Sequence, residues 1–153
     1  IGGQTIDLQS EGKKISSELL NELHEKKTGA LIWASICVPY LIKYSNEDYV
    51  ETIKNRDYIK LQKLSNLVGL AFQIKDDILD VTASTDKLGK SVGKDERDFK
   101  STFVTLYGLE EAKKLLDSCL DDINSIIEEL NENFGYNTDM LSALVDFVVK
   151  RDY

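Results

Sequence analysis

The chain is predicted to be all-α. Three observations carry that reading. Apolar residues recur at helical spacing through most of the sequence, as in Ala112, Leu115, Leu116, Cys119, Leu120, Ile123, Ile126, Ile127 and Leu130. No segment alternates apolar and polar residues between turn signals, so no strand is predicted. Gly12, Gly89, Gly93 and Gly108 fall at the ends of, or between, the periodic stretches.

Taken in order, Gly2 to Leu8 reads as the tail of a helix, with Gln4 and Asp7 on one face. Glycines within a helix cost about 1 kcal/mol each relative to alanine, so Gly2-Gly3 implies close approach of a ligand or another helix. Gln9 to Lys14 is a polar loop containing Gly12. Ser16 or Ser17 caps the next helix, with Glu18 in its first turn. That helix continues through Leu19, Leu20 and Leu23 to Leu31, Ile32, Ala34 and Ile36, interrupted by the basic and small cluster Lys26-Lys27-Thr28-Gly29. Pro39 is expected to kink or end it, and Lys43 to Asp48 to form the connection.

Helical pattern resumes near Glu47, with a break about Asn55 to Asp57, and runs to Val81. From Thr82 to Phe99 the periodicity is lost; the stretch holds Gly89, Gly93 and charges of both signs, and loops of such length are commonly functional. A short helix follows from Ser101 to Gly108, then an amphipathic one from Leu109 to Asn133. Thr138 caps the last helix, Met140 to Lys150, with Leu141, Leu144, Val145, Phe147 and Val148 expected inward.

The length of 153 residues suits one domain or part of one. A formal charge of −8 argues against a basic nucleic-acid-binding surface. No uninterrupted apolar run approaches the roughly 20 residues of a membrane span. Cys37 and Cys119 read as buried, reduced thiols in a cytoplasmic protein. His24, beside Glu22 and Glu25, reads as a surface residue.

Chemistry concentrates in Phe72-Gln73-Ile74-Lys75-Asp76-Asp77-Ile78-Leu79-Asp80. At about 100° per residue, Gln73, Asp76, Asp77 and Asp80 fall within roughly one quarter of a helix surface whose remainder is apolar. Two such carboxylates about 6 Å apart repel by roughly 3 kcal/mol at an effective dielectric near 20. A solvated acidic face is the ordinary meaning of a bare Asp-Asp-x-x-Asp. The apolar surroundings favour instead a site for a hard divalent cation, such as Mg²⁺ held by one or two carboxylates and substrate phosphates. Lys27, Lys90, Lys94 and Lys100 offer cations for the phosphate oxygens, although each alone reads as a surface lysine. Leu88-Gly89-Lys90-Ser91 is not a P-loop, because Ser84 stands where its earlier glycine belongs and no strand precedes it.

In order and spacing, Gly3-Gln4-Thr5-Ile6-Asp7-Leu8, His24-Glu25-Lys26-Lys27-Thr28-Gly29-Ala30-Leu31, Gly69 to Asp80, and Leu88-Gly89-Lys90 resemble the trans-isoprenyl diphosphate synthases, most nearly the bacterial farnesyl diphosphate (geranyltranstransferase) type. The resemblance covers the whole chain. It implies an isoprenoid synthase-type helical bundle around a central cavity, in a cytoplasmic homodimer. It also implies Mg²⁺-dependent, head-to-tail joining of isopentenyl diphosphate to an allylic diphosphate, giving a short-chain product such as farnesyl diphosphate. Asp76, Asp77 and Asp80 match the second aspartate-rich motif, with Asp76 as the direct metal ligand and Asp80 acting largely through water. Lys27 and Lys90 match the lysines that hold the allylic diphosphate, and Lys100 fits a similar basic position. Gln73, Thr28 and Lys27 would face the developing cation, Gln4 would line the same cavity, and Asp7 would stand behind them. The motifs of the family's first half are absent, so residues 1–153 are expected to form the C-terminal portion of one synthase domain. That portion supplies ligands for about one of three Mg²⁺ ions and is inactive without its N-terminal half. A non-catalytic partner subunit of a heteromeric prenyltransferase and a class I terpene cyclase are the alternatives. The retained Asp motif argues against the first, and the Lys27-Thr28 and Gly3-Gln4 signatures against the second.

Overall fold

The computed structural model describes residues 2–10, 13, 15–87 and 101–151. The described residues are helical with no strand, as the periodicity predicts. The helices are α1 (Gly2–Ser10), α2 (Ser17–His24), α3 (Ala30–Lys43), α4 (Tyr49–Thr52), α5 (Arg56–Lys87), α6 (Phe103–Tyr107), α7 (Leu109–Phe134) and α8 (Asp139–Lys150). A π-helical turn, Glu25–Gly29, joins α2 to α3.

The hub is α5. It packs most extensively on α7 and α3 and also touches α2, α6, α8 and the π turn. Its apolar residues supply that contact on several sides: Leu64 and Ile74 are fully buried, with Leu61, Val68, Ala71 and Ile78 close behind. Across from them stand Cys37 and Tyr40 of α3 and Ala112, Leu116, Ile123, Ile126 and Leu130 of α7. Both cysteines are buried and free, as expected. Asp57, one residue into α5, is a polar tie between layers. It accepts hydrogen bonds from Tyr40 Oη at 2.8 Å and from Tyr136 Oη at 2.9 Å.

Local signals set most boundaries. Ser16 Oγ accepts the Leu19 N–H at 3.3 Å to start α2. Thr102 and Thr105 form a reciprocal capping box at α6. Gly135, at φ 69°, ends α7 in the left-handed region where only glycine is unstrained.

Four sequence expectations require correction. Pro39 does not end its helix: α3 runs on to Lys43, because Cys37 and Tyr40 on either side are anchored against α5 and tertiary packing outweighs local propensity. Nor does α5 stop at Val81; it continues to Lys87, with Thr82 Oγ1 bonded back to the Ile78 carbonyl at 2.9 Å. No glycine or proline interrupts residues 82–88, so polarity alone was a poor stop signal. On α8, Val145 is buried, whereas Met140, Leu144 and Phe147 form an exposed stripe. His24 is half-buried rather than on the surface, its ring stacked on Phe103 at 5.4 Å.

Candidate functional site

The π turn is the first part of the site. In it the Ala30 N–H reaches back five residues to the Glu25 carbonyl, which widens the helix by one residue. Two glycines let backbones close on that turn. A Cβ on Gly3 would lie 2.4 Å from Lys27 Cα and N, so α1 lies directly against the turn. One on Gly69 would lie 3.4 Å from Gly29 Cα, so α5 presses from another side. The close approach implied by Gly2-Gly3 is therefore a helix contact, and it rests on Gly3 alone. Lys27 and Thr28 project from this clamped turn.

Lys27 Nζ pairs with Asp7 Oδ2 of α1 at 2.5 Å. Thr28 Oγ1 accepts a hydrogen bond from Gln73 Nε2 at 3.1 Å, although the two residues are 45 apart in sequence. Gln73 is buried at 8% exposure, so this bond satisfies a polar group that burial would otherwise penalise. A cavity of about 150 Å³ opens beside these groups, lined by Asp7, Lys27, Gln73, Asp76, Asp77 and Asp80, with apolar walls from Ile15, Leu20 and Leu23. The lysine and the acidic stripe predicted to act together do share one cavity.

The three aspartates are not equivalent. Asp80 is exposed. Asp76 meets the guanidinium of Arg151, just beyond α8. That guanidinium also donates to the Phe72 carbonyl at 3.3 Å and lies 4.1 Å above the Phe72 ring. Burial pushes the Asp76 carboxyl above the usual aspartate range; Arg151 opposes the shift and Asp80 adds to it. Asp77 is buried, and its Oδ2 accepts the backbone N–H of Phe103 at 2.7 Å. Two contacts were beyond sequence reading: Arg151 on Asp76, and His24 on the cavity wall.

Other predicted residues fall elsewhere. Gln4 is exposed on α1 and does not line this cavity. Thr28 touches the site through Gln73. Lys90, Lys94 and Lys100 lie outside the described residues. Among the described residues no group of three or more His, Cys, Asp or Glu is placed to enclose a metal. The donor set nevertheless fits Mg²⁺ in the form that such an ion takes with a phosphate ligand: Asp76 and Asp80 would supply hard oxygens, leaving the remaining positions to phosphate and water. Asp76 already pairs with one cation of the chain, the Arg151 guanidinium.

The chain is 40% identical over 152 residues to the farnesyl diphosphate synthase of Escherichia coli (strain K12), covering 99% of this chain and 48% of that protein. It is 36% identical over 156 residues to the geranylgeranyl diphosphate synthase of Cyanophora paradoxa, covering 99% and 47%. In structure it superposes on a geranyltransferase from Helicobacter pylori 26695 with a TM-score of 0.70 at 29% identity, covering 95% of this chain and 44% of that one. The chain thus spans about half the length of the curated relatives it matches. Residues 1–135 match the family model for polyprenyl synthetases: the chain belongs to the polyprenyl synthetase family.

Proposed function

We propose that this chain supplies one wall of a prenyl diphosphate synthase site, the wall that holds an allylic diphosphate through Lys27 and through Mg²⁺ on Asp76 and Asp80. The observation that carries the reading is the convergence of Lys27, Gln73 and the stripe on one cavity from elements about 50 residues apart in sequence. Magnesium bound there would neutralise the diphosphate and make it a better leaving group.

The chain's own groups divide the remaining work. Lys27 would hold diphosphate oxygens, exchanging its present partner Asp7 for them. Asp7, still beside it, keeps the ammonium in place between turnovers. Gln73 donates through Nε2 to Thr28, which leaves its Oε1 as the oriented acceptor. An amide oxygen fixed in this way can face positive charge on an allylic carbon without being a strong enough nucleophile to trap it. Leu20, Leu23 and Ile15 exclude water from the same space. The second substrate, isopentenyl diphosphate, would be held by the part of the enzyme corresponding to the other half of the relatives. The relatives' names differ in product length, so a short-chain prenyl diphosphate is the general form of the proposal and farnesyl diphosphate its specific form.

The test is to incubate the complete polypeptide with Mg²⁺, labelled isopentenyl diphosphate and geranyl diphosphate. An elongated prenyl diphosphate is expected. Absence of any elongated product sinks the reading, and a cyclic hydrocarbon would assign the chain to cyclase chemistry instead.

A further inference from the structure

We propose that Asp77 is a positioning residue of this site and not one of its metal ligands. The proposal rests on the functional reading above and assigns one aspartate of the stripe a different task. Adjacent residues of a helix diverge by about 100°, so Asp76 and Asp77 reach the cavity from different directions. Asp76 turns to Arg151, and Asp80 is exposed at the cavity. Asp77 also borders the cavity but is only 8% exposed, with Oδ2 held on the Phe103 N–H at 2.7 Å.

That N–H belongs to the first residue of α6, one of the donors that a helix start leaves without an internal acceptor. Thr102 already serves the Thr105 N–H, so the Phe103 N–H depends on Asp77. The segment it secures is a wall of the cavity. Ser101 and Thr102 line it. Ser101 Oγ accepts the Ile15 N–H at 3.0 Å and donates to the Lys13 carbonyl at 3.2 Å. Phe103 is 3% exposed, and its ring stacks on His24, three residues before Lys27. Asp77 therefore fixes α6 against α5 and, through Phe103, the chain that leads into the π turn. Turning Oδ2 toward a cation would release the Phe103 N–H and this wall with it. The stripe thus separates into exposed Asp80, Asp76 paired with Arg151, and Asp77, buried and held on the Phe103 N–H.

The test compares Asp76→Asn, Asp77→Asn and Asp77→Ala in the complete polypeptide. Asparagine keeps an acceptor oxygen for Phe103 but lacks the charge that a cation ligand needs. Mn²⁺ binding followed by electron paramagnetic resonance should weaken about tenfold or more in Asp76→Asn and stay within about twofold of wild type in Asp77→Asn. Amide exchange at Phe103 should accelerate about tenfold or more in Asp77→Ala and remain slow in both asparagine variants. The KM for the allylic diphosphate should rise in Asp77→Ala, and asparagine should recover most of that change. Asp77→Asn losing Mn²⁺ as severely as Asp76→Asn overturns the proposal. So does a Phe103 amide that exchanges at the wild-type rate in Asp77→Ala. Should the alanine variant not fold, the asparagine pair alone decides. A wild-type polypeptide without prenyl transfer would defeat the functional reading, whereas Phe103 exchange would still judge the role of Asp77.

Discussion

Replacing Gly3 by alanine tests how the π turn is held. The added Cβ would lie 2.4 Å from both Lys27 Cα and N and 2.7 Å from Lys26 C, all backbone atoms that cannot rotate away. Ordinary contacts begin at 3.4 Å, so α1 must withdraw by about 1 Å. A withdrawal of that size lengthens the 2.5 Å Asp7–Lys27 contact beyond the range of a charge-assisted hydrogen bond. Alanine gains about 1 kcal/mol over glycine by helix propensity. Overpacking costs about 1–3 kcal/mol, and the loosened, partly exposed ion pair adds roughly 0.2–1 kcal/mol. The neighbouring Gly2→Ala is the control, because its Cβ would meet only Lys26 Cδ at 3.9 Å. Gly2→Ala should be neutral or slightly stabilising. Gly3→Ala should be less stable than it by about 1–3 kcal/mol in urea melts, with a higher KM for the allylic diphosphate. Equal midpoints and equal KM for the two variants would refute the clamped-turn account.

Tyr136→Phe should lower stability by about 1–3 kcal/mol in the same melts, since the partly buried Asp57 carboxylate then loses a hydrogen-bond donor. The tyrosines also set an alkaline limit. Burial, reinforced by Asp57, pushes the Tyr40 phenol up to about 12 and shifts Tyr136 in the same direction. Unfolded phenols ionise near pH 10 while these two stay protonated. Their contribution to stability should therefore be fully present below about pH 10 and fall as pH rises through 12, with a slope that drops by about one proton in Tyr136→Phe. A pH-independent midpoint over that window would contradict this. Arg151→Gln should remove the competing cation from Asp76 and tighten Mn²⁺ binding several-fold in titrations; weaker binding would show that Arg151 assists the ion.

Much of this was written locally. Period 3.6 gave the helices, Ser16 marked the start of α2, and the excess of apolar residues around Asp76 marked α5 as buried. The pairing of Lys27 with the stripe was legible because both stand out against apolar neighbours. What escaped depended on contacts distant in sequence. Nothing near Asp77 indicates that Phe103 would bring a bare N–H to it across 26 residues. Nothing near His24 announces the ring that covers it. The π turn left only an interrupted apolar pattern at Lys26 to Gly29, which a change of hydrogen-bond register and a loop can both produce. Polarity after Val81 misled for a similar reason: a solvated helix end and a loop have the same composition.

The most direct measurement of the central claim is turnover of Asp76→Ala in the complete polypeptide. Far-UV circular dichroism and the urea midpoint establish that the variant is folded. If Asp76 holds the cation that binds the allylic diphosphate, the rate of prenyl transfer falls by orders of magnitude, to a level that extra Mg²⁺ does not restore. A folded Asp76→Ala that turns over at the wild-type rate would show that the aspartate stripe on α5 is not the metal face of the site.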